Sequence, residues 1–260
     1  MSAAGVALAA TGAIVAQSAT ATTLPAAKTY TGRAFDTCTA PSLSAMKAWK
    51  TGFYGAAAVY VGGKNRGCAQ PNLTASWVKS VSASGWKLIP LYVGAQPPCQ
   101  SGANPEKMTA STAASLGAKD GADAVTKAAA LGMKSGSPLY LDMESYDTTN
   151  TSCNNAVLTY VRAWDKAVHA KNYRTGFYGF RSSSAKAVAT TTNRTDMPDI
   201  LWYALWDKVN TTTSDWPFAP TLWTGHRRAH QYMVNSKESR GGHTITVDRD
   251  AWDAPVAIVG

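Results

Sequence analysis

The sequence predicts an α/β protein: a single, irregular (β/α)8-type TIM barrel, with five βα units followed by three strands and few helices between them. Three observations carry this expectation. β-Branched and aromatic runs alternate with segments of helical periodicity five times, and three further strand runs follow. Most strand runs are apolar from end to end, as when both faces of a sheet are covered. The turn after the first run, Asp36–Pro41, holds no glycine, which argues against an open doubly wound sheet with a phosphate loop. At 260 residues, 45% hydrophobic and 16% charged, the chain can bury a large core and is too poor in charge for a disordered or coiled-coil protein.

The strands are expected at Arg33–Cys38, Ala57–Gly62, Lys87–Gly94, Pro138–Met143, Thr175–Phe180, Ile200–Trp206, Ala229–Val234 and Thr244–Asp248. Between the first five, Ser42–Lys50 spaces Leu43, Met46 and Trp49 three apart, and Leu73–Ala83 carries Trp77, Val78 and Val81. Thr109–Leu131 is alanine-rich with an apolar face. Asn154–Lys171 puts Val157, Leu158, Val161, Trp164 and Val168 on one side, with Asn154 or Asn155 as its cap. Ser182–Ala189 makes a short fifth helix.

Residues 1–28 stand apart as a signal-peptide remnant or a disordered tail, leaving 29–260 for the barrel. Ala7–Val15 has the character of a signal-peptide core and Ala19-Thr20-Ala21 that of a cleavage site, although the positive leading segment is missing. The stretch is too short and too interrupted to span a membrane. Secretion agrees with the even number of cysteines, Cys38, Cys68, Cys99 and Cys153. None forms a CxxC pair. Each follows one of the first four strands, so neighbouring loops on one rim pair Cys38 with Cys68 and Cys99 with Cys153. The net charge of +9 attracts polyanions, anionic wall polymers among them. No basic run suggests a nucleic-acid arm.

The chemistry is sought among carboxylates at strand ends. Asp36 ends the first strand, Asp142 and Glu144 the fourth, Asp207 the sixth, and Asp248 and Asp250 the last. Residues two apart in a strand share a face, about 6.5–7 Å apart at Cα, so Asp142 and Glu144 project together. Like charges so placed raise one pKa, giving a protonated acid beside an ionised partner, the combination glycoside hydrolysis uses. A bare Asp-x-Glu is more often a loop-orienting Asp beside a solvated Glu; the further acids Asp36 and Asp248 are what shift the balance. Nine Trp and eleven Tyr against five Phe suit sugar stacking. Tyr60, Tyr92, Tyr178 and Trp206 are the strand residues proposed to line the cleft, with Gln231, Tyr232 and Asp250 as polar partners for hydroxyl or acetamido groups. His226 and His230 form an HxxxH spacing, but His230 opens a strand, so a metal pair is not expected. GxSxG and Walker patterns are absent.

Taken in order, Gly32-Arg33-Ala34-Phe35-Asp36, Leu139-Tyr140-Leu141-Asp142-Met143-Glu144, Gly176-Phe177-Tyr178-Gly179, Leu201-Trp202-Tyr203-Ala204-Leu205-Trp206, Gln231-Tyr232 and Val247-Asp248-Arg249-Asp250 resemble the secreted bacterial glycoside hydrolase-like domain family. That family is similar in turn to the family 25 glycoside hydrolases, the lysozyme-type muramidases. The resemblance covers about residues 30–255. It implies a barrel of five βα units plus three strands, a cleft acid at Glu144, and a supporting or nucleophilic Asp142. It also implies acids on the first and last strands at Asp36 and at Asp248 or Asp250. Attack by the substrate's own acetamido group, oriented by Asp142, is the alternative to a direct nucleophile. The expectation is a secreted, cofactor-free, monomeric enzyme acting on β-linked amino-sugar glycan such as peptidoglycan. The alternatives are a cell-wall glycan-binding module with the same cleft and, more weakly, a metal-dependent phosphodiesterase or deacetylase.

Overall fold

The computed structural model describes Met1 and residues 24–260. The signal-peptide reading of Ala7–Val15 and Ala19–Ala21 lies outside the described residues. Eight strands close into one barrel in sequence order: β1 Thr29–Asp36, β2 Tyr54–Gly62, β3 Lys87–Val93, β4 Pro138–Met143, β5 Arg174–Phe180, β6 Ile200–Ala204, β7 Arg228–Arg240 and β8 His243–Pro255. Among the described residues five helices lie outside: α1 Leu43–Trp49, α2 Ala75–Ala83, α3 Ala113–Ala130, α4 Thr151–His169 and α5 Ser184–Thr190. Among the described residues no helix is long and apolar enough to cross a membrane.

Side-chain alternation sorts the strands. Inward residues make an asymmetric filling: small Ala34, Ala56 and Ala58 from β1 and β2 face Tyr140, Tyr178, Trp202 and Trp252 from β4, β5, β6 and β8. Tyr140 meets Trp202 and Trp252 edge-on at 6.1 and 5.3 Å. Its ring occupies the space a Cβ at position 176 would need, only 2.2 Å away, which accounts for Gly176. Outward residues pack under the helices; Phe35, for example, meets Trp49 and Trp86 at 5.5 and 5.7 Å. Burying each such ring stabilises the fold by roughly 1.5–3 kcal/mol.

Caps and bridges set the helix starts. Ser42 and Thr74 cap α1 and α2 by accepting from the amides of Ala45 and Trp77. The cap of α4 is Asn150, which accepts from the Cys153 amide at 3.1 Å, so the helix starts earlier than the expected Asn154 or Asn155. That extra turn carries Cys153 to Cys99. The disulfides are Cys38–Cys68 and Cys99–Cys153, as strand order suggests.

The last strand departs from expectation. β8 runs antiparallel to both β7 and β1, and it is 13 residues long, not the short Thr244–Asp248 run. Asp248 and Asp250 therefore do not end a strand. Asp248 reaches the same rim as the other acids because the chain enters the barrel there, opposite Asp36. Beyond the barrel, β7 and β8 continue as a two-stranded arm paired from Ser236–Val247 to Arg240–His243. The tip is Gly241-Gly242, both at positive φ (51° and 79°), as a two-residue turn that follows strand twist requires. The arm folds down beside α1, where a helix would otherwise cover the barrel. Trp49 Nε1 donates to the His243 carbonyl at 3.0 Å. Glu238 accepts from Tyr54, Arg249 and Arg240 at 2.7, 2.8 and 3.0 Å.

Candidate active site

The loops at the C-terminal ends of the parallel strands surround a divided cleft. One part, about 610 Å³, lies between the β1–α1 loop and the arm and is lined by Asp36, Thr37, Asn72, His243, Thr246 and Asp248. The other, about 380 Å³, is lined by Asn65, Arg66, Gln96, Gln100, Asp142 and Glu144. Cys38 and Tyr60 border both. The Cys38–Cys68 bridge thus braces the wall between them.

Four acids meet around Tyr60. Its hydroxyl is pushed well above its ordinary pKa by burial and by the charges of Asp36, Asp142, Asp248 and Glu144. Asp36 and Asp248 arrive as direct partners across the β1–β8 ladder. Asp36 is buried and is pushed up to about 7 by burial and by Asp248, eased by the Gln231 amide that donates to it at 2.9 Å. Asp248 is raised by burial, offset by the Asn235 amide that donates to it at 2.7 Å. Asp142 is 4% exposed and held well above the usual carboxylate range by burial and by the charges of Glu144 and Asp36. Glu144, half-buried, is raised by burial and lowered by the hydrogen bond Asp142 gives it. Carboxyls taken out of water and set beside one another hold their protons more tightly than free ones.

Other expected residues divide. Tyr178 lies inside the barrel and donates to Gln231 Oε1 at 2.9 Å. Trp206 lies past the end of β6, 53% exposed, and donates to the same oxygen at 3.0 Å. Gln231 therefore ties the exposed Trp206 at the rim to Asp36. Three assignments need correction. Asp250 is fully buried one layer below Asp36, opposite Ala34, where Trp202 Nε1 donates to it at 2.9 Å; it supports the floor, and Asp248 is the last-strand acid that opens on the cleft. Tyr92 points outward from β3, under α3, with its hydroxyl on Asp123 at 2.9 Å. Tyr232 falls at a bulge in β7, outside the cleft lining, in the field of Arg249 and Arg33. One residue of alternation separates Tyr92 and Tyr232 from the cleft.

Asp207 joins a different cluster. It lies 3.6 Å from His230, which also faces Asp215 at 3.6 Å. The ligand atoms of these three lie within 4.8 Å of one another, and both ring nitrogens of His230 also face carbonyls, of Thr211 at 2.9 Å and Leu205 at 2.7 Å. His226 pairs instead with Asp253 at 2.6 Å.

The cleft also uses residues the sequence reading missed: Asn65, Arg66, Gln100, Asn235 and above all Gln96. Gln96 is fully buried; its Nε2 donates to the carbonyls of Asp142 and Gly94 at 3.0 and 3.2 Å, and its Oε1 accepts from the Glu144 amide at 3.0 Å. Its only sequence signal is a polar residue just past an apolar strand.

The model of the Rv2525c-like, glycoside hydrolase-like domain family matches residues 47–252. The chain belongs to that family. Among solved structures, this Rv2525c-like domain is similar to an uncharacterized protein of B. stearothermophilus, at 17% identity and a TM-score of 0.59 over 85% of this chain and 95% of that one. It is similar to the Tat-secreted Rv2525c of Mycobacterium tuberculosis, at 18% identity and a TM-score of 0.58 over 86% and 96%. It is also similar to a family 25 glycosyl hydrolase from Bacillus anthracis, at 10% identity and a TM-score of 0.51 over 86% and 89%. At such identities the likeness shows the shared barrel alone. No curated protein matches the chain.

Proposed function

We propose that this Rv2525c-like domain is a secreted glycoside hydrolase acting on β-linked amino-sugar glycan, with peptidoglycan the leading substrate. The observation that carries the proposal is the convergence of Asp36, Asp142, Glu144 and Asp248 on one divided cleft. Glu144 is the acid of its pair that opens furthest to the cleft, and burial raises its pKa. It gives its proton to the glycosidic oxygen as the bond to the anomeric carbon breaks. Asp142, buried and raised by its neighbours, suits hydrogen bonding to an acetamido group better than direct attack on carbon. The acetamido oxygen bonds to the anomeric carbon as the leaving group departs; water then breaks that bond by adding to the same carbon and gives its proton to the Glu144 carboxylate, which restores the acid. Asp36 and Asp248 keep the field that holds these protons in place. Trp206 offers an exposed face at the rim for a sugar ring. Two disulfides suit an oxidising compartment, and the M. tuberculosis relative is described as Tat-secreted.

The test is digestion of purified cell wall with release of reducing ends followed over time. Wild type should release them, and more slowly as pH rises through the raised Glu144 pKa, because the proton is then lost; Glu144→Gln should not. Equal, negligible release by both proteins, together with wall binding that weakens steeply with salt, would replace cleavage by a binding role for the same cleft.

A further inference from the structure

We infer that Gln96 is a positioning residue for the acid pair: its side-chain amide takes the place of a peptide unit of β3 and locks Asp142 and Glu144 in strand geometry. In a parallel ladder, one residue donates its N–H to the carbonyl before its opposite number and accepts from the N–H after it. The last β3–β4 rung pairs Val93 with Asp142. The next would stand opposite Met143, but there the β3 main chain turns away, with Asn65 donating to the Gly94 carbonyl at 2.7 Å. The Gln96 amide fills that rung. It donates to Asp142 O and accepts from Glu144 N, the two groups that flank Met143, while β5 pairs Met143 with Gly179 on the other side.

Only one amide orientation works, since the reverse would set oxygen against the Asp142 carbonyl and N–H against N–H. The main chain around Gln96 is equally determined. Its N–H donates to Glu106 O at 3.0 Å and its carbonyl accepts from Met108 N at 2.9 Å. The preceding Ala95 amide is held by Asp120 of α3 at 3.0 Å and by Tyr160 of α4 at 3.1 Å. The outer helices thus reach the acid pair through a single buried glutamine. This rests on the acid pair being the reacting one, but its test does not need turnover.

The chain has three glutamates, Glu106, Glu144 and Glu238, so carbon-13 labelling of Glu side-chain carboxyls yields three titration curves, and Glu144→Gln assigns one. The groups facing Glu144 and its partner are Asp142 on β4, Asp36 on β1, Asp248 on β8, Tyr60 on β2, Tyr178 on β5 and Arg66 in the β2–α2 loop. In Gln96→Leu the rung is lost and the two carboxyls separate. Glu144 loses the Asp142 hydrogen bond that lowers it and should then titrate higher than in wild type, with Glu106 and Glu238 unmoved. An unchanged Glu144 curve in the folded variant overturns the inference. Should Gln96→Leu fail to fold, hydrogen exchange on wild type decides: the Glu144 amide should be protected like those of the β3–β4 ladder, and exchange as fast as an exposed loop amide overturns the inference. If wild type cuts no glycan while the Glu144 curve still moves, the enzymatic reading fails and the positioning of the pair stands. If glycan is cut, Gln96→Leu should lower kcat at least tenfold with KM little changed, and shift the pH profile with the titration; an unaltered profile counts against the inference.

Discussion

The two acid pairs of the cleft are built in opposite ways. Asp142 and Glu144 come from the end of one strand and the residue just past it, two apart, and are held by a side-chain amide on a neighbouring loop. Asp36 and Asp248 come from the two ends of the barrel sequence and meet only because β8 runs antiparallel to β1. Each pair has its own disulfide: Cys38–Cys68 beside Asp36, and Cys99–Cys153 beside the loop of Gln96. The first pair owes its geometry to local periodicity, the second to topology. Perturbations should therefore fall on them separately.

The largest effect is expected from Glu144→Gln, which should lower glycan cleavage by roughly 10²–10⁴-fold, the range for loss of a general acid. Asp248→Asn should cost clearly less in the same reducing-end assay, because it tunes the field and hands over no proton. Equal losses would erase the distinction between the pairs. Next come the disulfides, which close loops with sequence separations of 30 and 54. Replacing either by two serines should cost about 4 kcal/mol in urea unfolding, slightly more for the longer loop. The Cys38–Cys68 loss should disturb the Asp36 side first.

A smaller effect concerns pH. Asp36 is raised from 3.8 to about 7, so its protonated form is favoured by folding. Its contribution to stability is complete below about 4 and is lost as pH rises through about 7. Calorimetry should show wild type losing thermal stability over that window and Asp36→Asn losing less; parallel slopes would show that the pair is not coupled as described. The smallest change is expected from Glu238→Gln, which weakens the contacts with Tyr54, Arg249 and Arg240. It should cost about 1–2 kcal/mol by chemical denaturation. Glycan cleavage should change only if the arm helps to hold Asp248.

Legibility in the sequence follows the same division. The βα units could be read because each strand and helix announces itself within about ten residues. Asp142 and Glu144 could be read because a two-residue spacing is itself a statement about direction. The antiparallel course of β8 could not, because a strand run such as Thr244–Asp248 carries no sign of its orientation or of the partner that will extend it to Pro255. Tyr92 and Tyr232 show a finer limit. An aromatic residue in an apolar strand gives no hint of which face it takes, and an outward tyrosine serves a helix as well as an inward one serves a cleft. Gln96 was invisible for another reason: its role depends on where β3 stops, one residue short of matching β4.

The glycine pair at the tip of the arm has a practical consequence. Gly241 and Gly242 sit outside the barrel wall, at the end of a ribbon tied to α1 through Trp49 and His243. Extra chain spliced between them would lengthen a handle without adding a stave to the cask, and since His243 and Thr246 of the same ribbon line the hollow, a fluorophore mounted there would report on what enters it.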